Sequence, residues 1–240
     1  MITSRENEKL KLVRKLHDHR WRDKLGLFFA EGEDLVDAAL AAGYEAVELL
    51  VAGENVEPAL LAEVSTLGHP PRVIGVFRRP ELLGSDPSRG QTPALALWQV
   101  SDPGNVGALL RSADAFGAGL MLSEGCADPF GPKALRAAMG STFRVPLLRF
   151  DVPADSVALV ADGGVPLADV ELERYSTFVL GSEREGLPDS VLSRCEVKAT
   201  IPTSQVESLN VAMAGTIVLY ELRRKAGVRP LRGQTPGPST

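Results

Sequence analysis

Apolar residues Leu10, Val13 and Leu16 recur at helical spacing in a basic, polar background, so the segment from Ser4 to about Arg20 predicts a surface helix with one buried stripe. Short apolar runs then alternate with helical segments. They predict strand Leu27–Ala30, helix Gly32–Ala42 with Gly43 as its C-terminal stop, strand Ala46–Val51, helix Pro58–Leu67 and strand Arg72–Phe77. This is a small α/β layer, too short for a full dinucleotide-binding domain. Residues 78–93, RRPELLGSDPSRGQTP, interrupt the pattern with three prolines and two glycines among charged residues, which marks an interdomain linker placed at 81–93.

The pattern resumes with strand Ala94–Val100, helix Asn105–Phe116, strand Gly119–Ser123 and helix Lys133–Met139. Strands Arg144–Leu148, Ser156–Ala161 and Thr177–Leu180 follow, and a long helix runs from about Ser208 to Lys225. Strands separated by helices imply a parallel sheet with helices on both faces. From Leu209 to Leu222 the last helix is apolar nearly all round, which predicts cover on every side and, in a domain this small, a second subunit. The division expected is 1–80, linker 81–93, 94–226 and a disordered tail at 227–240.

Composition narrows the class. With 44% hydrophobic residues, 24% charged and no apolar run of about 18 residues, the 240-residue chain reads as globular and outside the membrane. Its start, MITSRENEKLKLVRKL, lacks a secretory apolar core, so a cytoplasmic location is expected. Cys126 and Cys195 are far apart, and His17, His19 and His69 form no HExxH, so neither a disulfide framework nor a metal site is expected. Net charge is −5, yet residues 4–24 carry +4, 129–149 carry +4 and 222–240 carry +5. Segregated basic surface on an acidic chain fits a polyanion footprint, although a charge run is more often only a solvated face.

Three segments carry candidate chemistry. In SDPGNVGALLRSADAFGAG, residues 101–119, an Asp-Pro-Gly turn leads into a helix bearing Asn105 and Arg111. These are about 240° apart on a helix that includes both, and share a face only if the helix begins after Asn105, as the turn suggests. Taken alone, Asn105 reads as an N-cap and Arg111 as a solvated arginine. In FVLGSEREGL, residues 178–187, a glycine-rich loop follows a strand, where open α/β sheets bind ligands; the plain alternative is a strand-to-helix turn with Glu183 at the helix start. No GxGxxG or GxxxxGK[ST] accompanies it. In KATIPTSQVESLNVAMAGTIVLYELRR, residues 198–224, a short strand ends in Ile-Pro and Ser208 or Asn210 opens the last helix.

Together these segments resemble the SpoU (TrmH) family of RNA 2′-O-ribose methyltransferases, in the SPOUT superfamily. NVGALLR at 105–111, LGSEREGL at 180–187 and IPTSQVESLNVAMA at 201–214 fit its three motifs in order, and PKALRAAMGSTFRVPL at 132–147 resembles the segment between the first two. Residues 1–80 look like an L30e-like substrate-binding domain. The resemblance implies an α/β fold with a C-terminal deep trefoil knot, S-adenosyl-L-methionine as methyl donor and a homodimer packed through the knotted region. It implies Arg111, Asn105, Glu183, Ser208 and Asn210 as the catalytic set and Gly181, Ile201 and Leu209 as donor-binding residues, with no metal. Lys133, Arg136 and Arg144 are phosphate contacts on charge alone. Ribosomal RNA of the 23S type is the expected substrate and transfer RNA the next; a catalytically silent RNA-binding or assembly factor is the alternative. Arg184 stands where the family usually has glycine, which is costly if that position needs a positive φ.

Overall fold

The computed structural model describes residues 1–82, 92–206 and 208–227. Most of the expected linker and nearly all of the expected tail lie outside these residues. The N-terminal layer runs α1 (Glu8–Leu16), α2 (His19–Leu25), β1 (Leu27–Glu31), α3 (Glu33–Ala41), β2 (Ala46–Val51), α4 (Pro58–Val64) and β3 (Val73–Arg78). The single helix expected over Ser4–Arg20 is two. Asp18 adopts extended backbone and caps α2 by accepting from Arg20 N, so the chain bends there.

β1 to β3 form an antiparallel sheet in the order β1-β3-β2. Successive residues of β1 face opposite sides, so Phe29 joins Leu10, Val13, Leu16 and Leu61 under α1 and α4, while Phe28 joins a different core. That second core continues into the C-terminal layer. Phe28 stacks within 4.8 Å of Phe130 and 5.9 Å of Phe143, and Tyr44 meets Phe143 edge-on at 5.2 Å. Burial raises the Tyr44 hydroxyl pKa above its usual value. Alongside these rings Arg22, 5% exposed, donates from Nε to Asp128 Oδ2 at 2.7 Å and from Nη1 to the Leu16 and His17 carbonyls. The sequence predicts a linker between two units; the structure adds a shared apolar core and a buried ion pair.

The C-terminal layer contains β4 (Ala94–Leu97), α5 (Pro103–Phe116), β5 (Gly119–Leu122), α6 (Pro132–Ala138), β6 (Leu147–Arg149), β7 (Ser156–Leu159), β8 (Val165–Pro166), β9 (Thr177–Leu180), α7 (Asp189–Leu192), β10 (Val197–Thr200) and α8 (Val211–Lys225). Its seven strands are all parallel, in the order β6-β5-β4-β9-β7-β10-β8. β4 and β9, ALAL and TFVL, are buried throughout, as central parallel strands must be. Leu95, Leu97, Phe178 and Leu180 face the core under α5, α6 and α8, whereas Ala94, Ala96 and Val179 face the smaller cluster that Val191 of α7 closes. Helical cover is therefore thick on one face and one short helix on the other. The strand expected from Arg144 begins only at Leu147, because residues 141–143 form a 3-10 turn held by Ser141 and Arg144 on Asp114. β8 and α7 are too short for a periodic signal.

Candidate active site

Helix α5 begins at Pro103, ahead of Asn105, and its N-cap is Asp102, whose Oδ1 accepts from Asn105 N at 2.8 Å. Asn105 is thus inside the first turn with its side chain free for other work, and it does not share a face with Arg111. Asn210 is the N-cap of α8: its Oδ1 accepts from Ala212 N and Met213 N. That fixes the amide orientation, so Asn210 Nδ2 donates to Asn105 Oδ1 at 3.0 Å. Asn105 Nδ2 must then donate onward, and it does, to Glu183 Oε1 at 2.7 Å. The helix cap thereby polarises a chain of three side chains from three separate motifs and ends it on a carboxylate.

Glu183 sits on a loop that folds back on itself. Ser182 and Gly186 exchange backbone hydrogen bonds of 3.2 and 3.1 Å, and no helix starts there, so the strand-to-helix alternative is replaced by a closed turn. A Cβ on Gly181 would lie 2.3 Å from the Gly186 carbonyl carbon and 2.7 Å from Leu187 N, so this approach admits only glycine. The positive φ in the loop falls on Gly186; among the described residues the non-glycine positive-φ positions are Gln99 and Met139, so Arg184 carries no such strain.

Two cavities open at the carboxyl ends of the parallel strands. One, of about 550 Å³, is lined by Leu159–Ala161, Leu180–Gly186, Ile201 and Thr203, Ser208–Val211 and Ala214. It contains every expected donor-binding residue, Gly181, Ile201 and Leu209, together with Glu183, Ser208 and Asn210. Its size and mixed apolar and backbone lining suit a nucleoside-sized ligand. The second, of about 470 Å³, is lined by Gln99, Ser101, Asp102, Asn105, Gly125 and the shared wall Ser182–Glu185. Sequence reasoning missed the end of β7, Gln99 and Gly125. The strand order that brings β7 beside β9 has no local signal, whereas the left-handed backbone at Gln99 leaves none in an unremarkable residue type.

Arg111 is exposed on α5 and lines neither cavity. Of the three basic residues, Lys133 is exposed on α6, Arg136 donates to Thr66 Oγ1 at 2.7 Å and faces Glu31 across the layers, and Arg144 is paired with Asp114. The last two thus hold the structure together. No group of three or more His, Cys, Asp or Glu side chains able to hold a metal occurs among the described residues. Burial raises the thiol pKa values of Cys126 and Cys195. No helix among the described residues is long and apolar enough to cross a membrane.

Residues 93–220 match the SpoU rRNA Methylase family and residues 7–76 the MRM3-like substrate binding domain. A Bacillus subtilis (strain 168) protein named 23S rRNA (guanosine(2553)-2′-O)-methyltransferase is 32% identical over 248 residues, covering 92% of this chain and 98% of its own. Among solved structures, an AdoMet-bound rRNA methyltransferase from Sinorhizobium meliloti superposes with a TM-score of 0.84 at 28% identity, over 93% of this chain and 97% of that one. The AdoMet complex of the SpoU methyltransferase AviRb from Streptomyces viridochromogenes gives 0.81 at 26% identity, over 93% and 100%. The likeness spans both layers, and the chain belongs to the SpoU rRNA methylase family.

Proposed function

We propose that this chain methylates a ribose 2′-hydroxyl of ribosomal RNA with S-adenosylmethionine as donor. The observation that carries the reading is the Asn210–Asn105–Glu183 chain, which ends on the wall shared by two adjoining cavities. The names of the relatives support ribosomal RNA of the 23S type, and transfer RNA comes next. The segment from the Gly181 loop to α8 is read as the deep knot that the family resemblance implies. The domain limits follow the sequence division, with residues 1–80 binding substrate.

In this reading the larger cavity holds the donor through Gly181, Ile201 and Leu209, and the smaller one the acceptor nucleotide. The glycine-only turn at Gly181 and the apolar walls fit a nucleoside with a charged tail. Bound adenosylmethionine supplies a sulfonium methyl group open to in-line attack. The chain's own task is then to place the hydroxyl and manage its proton. Glu183 Oε1 is occupied by Asn105, which leaves Oε2 to accept from the hydroxyl and hold its lone pair toward the donor cavity. Ser208 lines the same cavity and steadies the ribose. Arg111 stabilises the developing alkoxide or the adjacent phosphate; its guanidinium is already protonated, so the hydroxyl proton passes to Glu183 Oε2 as the 2′-oxygen takes the methyl group. Because Arg111 lies outside its own chain's cavities, a homodimer with Arg111 supplied by the partner completes the site.

The test is transfer of tritiated methyl from adenosylmethionine to total RNA of a strain lacking the gene, followed by alkaline digestion. One ribosomal RNA carrying one alkali-resistant dinucleotide is expected, and Glu183→Gln should reduce turnover about 100-fold or more. Measurable donor binding with no labelled RNA would overturn the reading.

A further inference from the structure

Gln99 has φ +52°, a left-handed conformation unusual for a residue with a side chain, at the exposed end of β4. Strained backbone persists where its surroundings over-determine it. They do so here. Gln99 N donates to Ser123 Oγ at 2.9 Å; the flanking loops are cross-tied by Ser123 N to the Leu97 carbonyl at 3.0 Å and by Ala127 N to the Val100 carbonyl at 2.9 Å. Beneath the side chain lies Gly125, where a Cβ would come within 3.2 Å of Gln99 Cγ. The loop after β5 therefore clamps the Gln99 backbone and leaves a bare seat for its stem. Gln99 is exposed and lines the smaller cavity together with Asn105 and Glu183.

A side chain carried on so fixed a backbone at the mouth of a cavity, with one hydrogen-bond donor group and one acceptor, suits the recognition of a base edge. We propose that Gln99 is a specificity-determining residue that reads the base of the acceptor nucleotide while the Glu183 chain holds its ribose. The inference rests on the reading that the chain methylates RNA. It accounts for a strained glutamine where glycine would fit without cost, and for the absence of Gln99 from the donor cavity.

Two variants separate recognition from architecture. Gln99→Gly removes the carboxamide and relieves the backbone. Gln99→Glu keeps the size and replaces the donor by a second acceptor. Once wild-type enzyme has marked its nucleotide, kcat and KM are measured on a transcript of the surrounding RNA and on three transcripts with the other bases at that position. Both variants should melt no lower than wild type and bind adenosylmethionine within twofold of it by calorimetry. On the native transcript kcat/KM should fall about tenfold or more, mainly through KM, as expected for one base-pairing contact. For Gln99→Glu the preference among the four bases should change by a similar factor. Unchanged kcat/KM for Gln99→Gly, or an equal loss on all four bases, would overturn the proposal while leaving the methyltransferase reading intact. Wild-type enzyme that labels no RNA at all would overturn both.

Discussion

Asn210 performs two tasks with one amide, and a single-atom change separates them. Its Oδ1 caps α8 and its Nδ2 sets the direction of the chain that ends on Glu183. Asn210→Asp keeps a capping oxygen and removes the Nδ2 donor, so two oxygens face each other at Asn105. Thermal stability should stay near that of wild type while kcat falls at least tenfold; melting and turnover measured together check this, and unchanged turnover would show the chain to be merely structural. Asn210→Ala removes the cap as well and should cost about 1 kcal/mol of stability in addition. Gly181→Ala tests the other end of the site. Its new Cβ would collide with backbone at Gly186 rather than a side chain that can yield, so the turn must open and donor affinity by calorimetry should drop about tenfold or more.

At the scale of elements, the polar pair between α2 and the loop before α6 decides how the two layers stay together. The side chains of Arg22 and Asp128 are each 5% exposed and joined at 2.7 Å, and Arg79 lies 5.2 Å from the Phe130 ring beside them. Removing one partner of a buried pair strands the other charge, so Asp128→Ala should destabilise by about 3–5 kcal/mol, read in urea denaturation. If the layers were independent, removing the other partner with Arg22→Ala would leave the unfolding midpoint of the C-terminal layer unmoved. This docking also explains the limits of sequence reading. Strands β2 and β9 were legible to the residue, because short apolar runs between polar stops are local signals. The three motifs located Asn105, Glu183 and Asn210, but not the hydrogen-bonded order that joins residues 105 and 210. Phe28 and Phe130 are ordinary apolar positions until the fold stacks them. The same holds for Arg136, whose charge suggested RNA and whose partner is Thr66 of the other layer. Contacts between distant segments write no period into either one.

The whole molecule poses the question of what α5 and α8 face. Arg111 and Ala115 lie exposed one turn apart on α5, and Met213 and Tyr220 are 60% and 54% exposed on α8. The Ser112–Thr216 hydrogen bond of 2.6 Å ties the two helices between them, so these residues border one surface. The proposed second copy, seated on this face, would cover its apolar residues and give each site the other chain's Arg111. Complementation distinguishes this from an arginine acting within its own chain. Arg111→Ala and Glu183→Gln should each be nearly inactive as homodimers. If Arg111 crosses the interface, a mixed dimer contains one site built from two intact halves, and random exchange of equal amounts makes half of all dimers mixed. About a quarter of wild-type activity should then return on mixing, by counting the sites of a two-fold dimer. If Arg111 serves its own chain, every site in the mixture lacks one residue and no activity returns. Met213→Glu with Tyr220→Glu places acids on the same surface; it should yield monomers by light scattering at micromolar concentration and abolish the recovery in the mixed sample.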